Sequence, residues 1–291
     1  MLFVPGDQER MLRKARELPA DALILDLEDG VAAKDKAVAR QRVPETLADG
    51  FPSGLPIFVR PNGVATGMLE DDLLATVHPR LDGIVLPKVR TPGEVALVDR
   101  LLATLERARG IPLGQLALAL LIETPPAVLH AEDLVEASAR VAALVFGAED
   151  LAAEMGLVRT ASGVGVHYPR AQTALVAHAT GCEAIDQVFT TIQDPQGLAR
   201  ECAEGKALGY GGKQVIHPGQ LDPVNAAFAP DPAQVAWARE ILEAYRAAPR
   251  GAIVLNGRMI DAPIVAQAQR ILADVARIES RTRTSAGRRD P

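Results

Sequence analysis

The sequence predicts a (β/α)8 TIM barrel with a C-terminal helical lid or extension. Short apolar, β-rich runs alternate with longer amphipathic ones, the pattern of parallel strands joined by crossover helices. Eight such runs lie between residues 2 and 216, with no linker-like stretch to break the alternation. The strand ends also gather polar and ionisable residues at one rim, the end where such barrels place their chemistry. An open doubly wound sheet is the alternative.

Taken in order, the first strand is Leu2-Phe3-Val4, stopped by Pro5-Gly6-Asp7, and a helix follows over Gln8–Leu18. The next strands are Ala22–Leu27, Ile57–Arg60, Gly83–Leu86, Leu116–Ile122, Val141–Phe146, Ile185–Phe189 and Gln214–Ile216. Each is a short aliphatic run, of strand rather than helix length. Helical periodicity covers Pro92–Arg109 and Ala171–Thr180, and Thr124 before Pro125-Pro126 reads as an N-cap with proline at the first helical position. After Pro230-Asp231-Pro232 a helix runs to about Ala247, Gly251 to Arg258 reads as a hairpin, and an amphipathic helix spans about Ala262 to Ile278. The expected organisation is a barrel over 1–228, a lid or extension over 229–280 and a disordered polar tail over 281–291.

Composition narrows the function. The 291 residues are 48% hydrophobic, enough for one large core. A net charge of −6 and 3% aromatic content argue against a nucleic-acid surface. Cys182 and Cys202 are too few for a disulfide framework or a zinc site. The apolar start is cut short by Pro5, and no run approaches the roughly 18 residues of a membrane span, so a cytoplasmic protein without a membrane partner is expected.

The acids at two successive strand ends carry the chemistry. Leu118–Ile122 ends in Glu123, and Val145-Phe146-Gly147-Ala148-Glu149 leads to Asp150. Neighbouring parallel strands bring these carboxylates together, and two acids in a half-buried pocket repel unless a cation or proton sits between them. Hard oxygen donors suit Mg²⁺, or Mn²⁺. Small Gly147 and Ala148, with Glu149, let backbone N–H groups approach a bound carboxylate. Arg60 ends an apolar strand, where its planar fork suits a carboxylate, either a substrate's or that of Asp26, Glu28 or Asp29. Arg60→Ala is therefore expected to lose binding of a substrate carboxylate with the fold intact. Lys88 is either a Schiff-base nucleophile or, preferred here, a charge partner for the acids. His217 reads as a structural hydrogen-bonder rather than an acid or base, and Gly211-Gly212-Lys213 lacks P-loop spacing.

These phrases together resemble the citrate lyase β-subunit-like (CitE-like) family of the HpcH/HpaI aldolase superfamily. The matching segments are Leu2–Gly6, Leu25–Val31, Val59–Asn62, Leu86–Lys88, Leu121–Pro125, Phe146–Asp150, Lys213–Pro218 and Gly257–Pro263. The resemblance implies a Mg²⁺-dependent carbon–carbon lyase, usually a trimer or hexamer, acting between an acyl thioester and a 2-oxo acid. It assigns the metal to Glu123 and Asp150 and the oxo acid to Arg60. Asp261 would be a proton donor reaching a neighbouring subunit's site, and Phe3, Arg10 and Lys14 would bind the coenzyme A thioester. Asp26 and Glu28 join Arg60 and Asp261 among the catalytic candidates; Lys88, Gly147, Ala148 and Glu149 join Arg60 around the substrate.

The expected substrate is malyl-, citramalyl- or citryl-CoA. The alternatives are a citrate lyase subunit working on an acyl-carrier thioester with partner chains, an aldolase on free pyruvate, and a non-catalytic ligand-binding barrel. The pyruvate branch uses a histidine near the second strand, and none of the five histidines lies there.

Overall fold

The structure, a computed structural model, describes residues 1–160, 162–247 and 251–286. Eight parallel strands pair in chain order: β1 (Leu2–Pro5), β2 (Leu23–Asp26), β3 (Ile57–Arg60), β4 (Gly83–Leu86), β5 (Ala117–Ile122), β6 (Val141–Phe146), β7 (Glu183–Asp186) and β8 (Gly212–Lys213). Val215, just past β8, bridges to Leu2 in parallel and closes the ring. Helices fill the crossovers: α1 (Glu9–Ala15), α2 (Lys36–Asp49), α3 (Leu69–Thr76), α4 (Pro92–Arg109), α5 (Pro125–Leu129), α6 (Ala131–Glu136), α7 (Ala148–Glu154), α8 (Val164–Thr180) and α9 (Pro195–Ala207).

Local chemistry sets several boundaries. Thr91 caps α4 reciprocally with Glu94, Pro92 occupies the first turn, and Gly110 (φ 64°) ends the helix in the left-handed conformation. Thr124 accepts the Ala127 N–H and fixes the start of α5 directly after Glu123. Inside the barrel, Ile24, Val85, Ala119, Leu121 and Val145 form the core, with Phe3, Phe58 and Ile185 packed against them.

Three expected elements shift. The seventh strand is Glu183–Asp186 rather than 185–189, because the pairing of β6 with β7 ends at Val145↔Ile185 and apolar Val188-Phe189 lie beyond it. The eighth is Gly212–Lys213 rather than 214–216, of which Val215 alone makes a bridge. The helix expected over 171–180 begins at Val164, because Pro169 is accommodated within it instead of starting a break.

The chain divides into two compact units, Met1–Asn225 and the segment from Ala226 onward. The second holds α11 (Pro232–Ala247), the hairpin strands β9 (Ile253–Leu255) and β10 (Arg258–Ile260), and α12 (Ala262–Ala286); α10 (Leu221–Phe228) precedes them across the division. Asn256 and Gly257 both have positive φ, 50° and 75°, as a two-residue hairpin turn requires. Ala238, Ile241, Ile260, Val265 and Ala268 form this unit's own core. The tail expected from residue 281 is helical through Ala286, since no glycine or proline interrupts the sequence before Gly287; residues 287–291 lie outside the described residues. Among the described residues, no helix is long and apolar enough to cross a membrane.

Candidate active site

Strand alternation aims the site. Ile24, Val85, Leu121 and Val145 belong to the interior core and Phe58 packs against it, so residues two further along point into the same mouth. Those residues are Asp26, Pro87, Glu123, Gly147 and Arg60.

Asp26 and Arg60 form the first fixed pair. Arg60 Nε donates to Asp26 Oδ1 at 2.7 Å and Nη2 to Oδ2 at 2.6 Å, a bidentate contact. The Glu28 and Gly30 N–H groups fill the remaining acceptor positions of Asp26, both at 2.9 Å. Asp26, expected among the catalytic carboxylates, thus has its four lone-pair positions taken, an arrangement suited to holding Arg60 in place. A Cβ at residue 30 would collide with Asp26 Oδ2, so glycine is needed there. The Phe3 ring lies under the guanidinium at 4.6 Å, a cation–π contact. Burial opposes the charge on Arg60, but the Asp26 carboxylate outweighs it and raises its pKa further. Two of its five N–H groups go to Asp26; Nη1 lies 3.0 Å from Glu28 Oε2.

Lys88 is the second pivot. It adopts a left-handed backbone (φ 51°), unusual for a residue with a side chain. That turn sends its N–H to Glu123 Oε1 at 2.7 Å while its ammonium meets Glu28 at 2.7 Å, Asp29 at 2.9 Å and Asp150 at 3.4 Å. Burial works against the charge, but the hydrogen bonds to Glu28 and Asp29 prevail and raise its pKa. An ammonium paired with three carboxylates suits a charge partner better than a free-amine nucleophile.

Glu123 is 2% exposed, and its pKa is pushed up to about 8 by burial first, then by Asp150 and Glu28. The backbone of Gly147 lies against it: a Cβ there would stand 2.5 Å from both Glu123 Cβ and Oε2. Glu28 Oε2 is buried with no hydrogen-bond partner, despite its proximity to Arg60. Crowded acids, one held back from ionisation and another with an orphaned oxygen, fit a divalent cation. Among the described residues no group of three or more His, Cys, Asp or Glu forms a closed metal cage. A Mg²⁺ is commonly held by one or two carboxylates, with water and substrate completing its shell.

The other candidates fall in different places. At the start of α7 no side chain caps the helix, and Gly147 N–H is spent on the Ile122 carbonyl (3.1 Å). Glu149 lies 3.4 Å from Arg159, which also donates to Gln187. Arg10 and Lys14 are exposed one turn apart on α1. Asp261 belongs to the second unit, where it makes a long N-cap contact of 3.4 Å to the Ile264 N–H. His217 accepts the Gly219 N–H, a structural role. Sequence reading missed the buttresses. Buried Asp72 holds Asn62 through both backbone and side chain and pairs with Arg40. Lys36 donates to the Leu27 and Glu28 carbonyls. Asp72 reads as an ordinary acid in the first turn of a helix, and only its total burial reveals the difference.

The family model for HpcH/HpaI aldolase/citrate lyase matches residues 1–218. The chain is 35% identical over 284 residues to a mitochondrial citramalyl-CoA lyase of Homo sapiens, covering 92% of this chain and 83% of that protein. It is 33% identical over 276 residues to a citrate lyase subunit beta of Escherichia coli strain K12, covering 94% and 91%. A crystal structure of CitE from Mycobacterium tuberculosis with magnesium, acetoacetate and coenzyme A superposes with a TM-score of 0.77 at 31% identity, covering 94% and 97%.

Proposed function

We infer the activity from one premise: this chain belongs to the HpcH/HpaI aldolase/citrate lyase family. It is a Mg²⁺-dependent carbon–carbon lyase that splits a 3-hydroxyacyl thioester, such as malyl-, citramalyl- or citryl-CoA, into an acyl thioester and a 2-oxo acid. The observation that carries the site assignment is the crowded pair Glu123 and Asp150, with Glu123 held back from ionisation.

In this reading Glu123 and Asp150 hold the metal. Mg²⁺, or Mn²⁺, supplies Lewis acidity that lowers the pKa of the substrate hydroxyl. Arg60, fixed on one edge by Asp26, turns its remaining N–H groups to the oxo-acid carboxylate, which fixes the reacting carbon. Glu28 and Lys88 set the charge beside it. As the hydroxyl gives its proton to a carboxylate of the mouth, Glu28 with its unpartnered Oε2 in this reading, the C–C bond breaks, the 2-oxo acid forms, and the acyl thioester leaves as an enolate that takes up a proton. Asp261, carried by a lid over 229–280 and acting in a neighbouring subunit, is the donor in this proposal. The N–H groups of Ala148 and Glu149 face the substrate, and Phe3, Arg10 and Lys14 line the thioester's approach. A cytoplasmic homo-oligomer, a trimer or hexamer, completes the reading.

A lyase assay on malyl-, citramalyl- and citryl-CoA, with Mg²⁺ and with EDTA, tests it. Magnesium-dependent release of a 2-oxo acid is expected. Turnover that survives EDTA refutes the metal assignment. The second reading is an acyl-carrier thioester, favoured by the likeness to a citrate lyase subunit beta. Recovery of acyl-carrier and transferase chains in a native pull-down would select it.

A further inference from the structure

The pairing of β6 with β7 stops one residue short of the mouth. Its last partners are Val145 and Ile185, whereas β5 stays paired with β6 through Ile122↔Phe146. Successive residues of a strand turn their backbone groups to opposite neighbours. Gly147 N–H goes to Ile122 on the β5 side, so the Phe146 carbonyl faces the opened side. A buried carbonyl left there would lack a partner.

Gln214 supplies one. It comes from beyond β8, is 3% exposed, and its Nε2 donates to the Phe146 carbonyl at 2.9 Å and the Asp186 carbonyl at 3.2 Å. Its own N–H donates to the Asp186 carbonyl at 3.0 Å. One carboxamide therefore ties the ends of β6, β7 and β8. Its base is rigid. The preceding residue, Lys213, is fully buried and paired with Asp186 at 3.1 Å and Glu201 at 2.5 Å, and Arg170 grips Asp186 through Nε at 2.8 Å and Nη2 at 2.7 Å. This ion network lies on the helix side of the sheet and uses none of its charge in the mouth, because Ile185 faces the core and its neighbour Asp186 faces away.

We propose that Gln214 is a positioning residue for the metal loop, holding Phe146 so that Gly147 stays against the Glu123 carboxylate and Asp150 stays opposite it. The proposal rests on the metal reading above. The path is short. Phe146 is bonded to Gly147, Gly147 lies in contact with Glu123, and α7 carries Asp150 three residues further on. Releasing the Phe146 carbonyl lets β6 swing on its free side and loosens both carboxylates together.

The test is calorimetric titration of the full-length protein with Mg²⁺ alone, independent of substrate. Gln214→Met keeps the length and removes both donors. Gln214→Glu keeps the shape and turns a carboxylate oxygen toward two carbonyls. Each should weaken Mg²⁺ binding about tenfold, the lower end of what groups supporting metal ligands are worth, and excess Mg²⁺ should restore kcat. Thr46→Val, which deletes a buried hydroxyl bond to the Arg42 carbonyl in α2, serves as a stability control and should leave Mg²⁺ affinity unchanged. Affinity within twofold of wild type in either folded Gln214 variant overturns the proposal, as does an equal loss in Thr46→Val. If the wild-type protein itself fails to bind Mg²⁺, the metal reading falls and takes this assignment with it.

Discussion

Gly147→Ala is the sharpest perturbation the mouth offers. The residue has φ −108° and ψ 85°, which alanine can adopt, so the effect is purely one of space. The added methyl would stand 2.5 Å from Glu123 Cβ and Oε2; ordinary contact begins at 3.4 Å, so backbone and carboxylate must part by about 0.9 Å. Glu123 cannot simply rotate away, because Oε1 is bound by the Lys88 N–H at 2.7 Å and the side chain is buried. Overpacking of this kind costs roughly 1–3 kcal/mol of stability. A displacement near 1 Å at a reacting centre costs on the order of 100-fold in rate. The variant should melt a few degrees lower, bind Mg²⁺ at least about tenfold more weakly by calorimetry, and lose about two orders of magnitude in kcat/KM. A folded Gly147→Ala protein with Mg²⁺ affinity and turnover both within twofold of wild type would show that Glu123 does not hold the metal.

Three further outcomes follow from the same contacts. In EDTA, Glu123 keeps its proton to about pH 8 in the folded chain against 4.5 ordinarily, so the folded state binds the extra proton and stability falls as pH rises between those values. Glu123→Gln should flatten that slope in urea titrations and abolish Mg²⁺ binding; an unchanged slope refutes the assignment. Lys88→Met leaves buried Glu28 with Arg60 as its remaining cation and should cost about 1–3 kcal/mol by denaturation, while borohydride with a 2-oxo acid should trap no adduct on the wild-type chain. Trapped adduct on Lys88 would revive the Schiff-base route. Arg60→Ala, expected from sequence to spare the fold, should instead lose about 3–5 kcal/mol along with oxo-acid binding, because it leaves buried Asp26 without its ion-pair partner and Glu28 with Lys88 alone. A midpoint unchanged in urea contradicts that.

The barrel was legible because its signal is redundant: eight apolar runs at regular intervals survive an error in any one boundary. The places of Glu123 and Asp150 were legible because Glu123 directly follows β5 and Asp150 sits in the first turn of α7, just past β6, so position in sequence dictates position in space. The boundaries that shifted, at β7, β8 and the start of α8, are those where pairing rather than composition decides. Val188-Phe189 looks like strand, yet no neighbour pairs with it there, and Pro169 looks like a break, yet the helix holds it. Gln214 and Asp72 were invisible for a further reason. Their importance lies in which backbone groups they meet, 68 and 10 residues away, and no periodicity encodes that.

The charge at the mouth sets an order of events. The mouth gathers Asp26, Glu28, Asp29, Glu123 and Asp150, and among the described residues the cations that pair with these acids are Arg60 and Lys88, both already engaged by them. An incoming oxo-acid carboxylate therefore meets surplus negative charge in a partly buried space, where repulsion is little screened. Burial first, and then the same surplus through Asp150 and Glu28, holds Glu123 back from ionising. A divalent cation relieves both effects: it lets Glu123 ionise and leaves the guanidinium edge of Arg60 free to attract an anion. Metal should thus bind first and acid second, with linkage in both directions. Titrating pyruvate or oxaloacetate into the protein should give no heat in EDTA and clear binding with Mg²⁺, and the oxo acid should tighten Mg²⁺ by the same factor. Equal affinity for the oxo acid with and without metal would mean that Arg60 recognises the carboxylate alone, and that the excess of acids at the mouth serves something other than the metal.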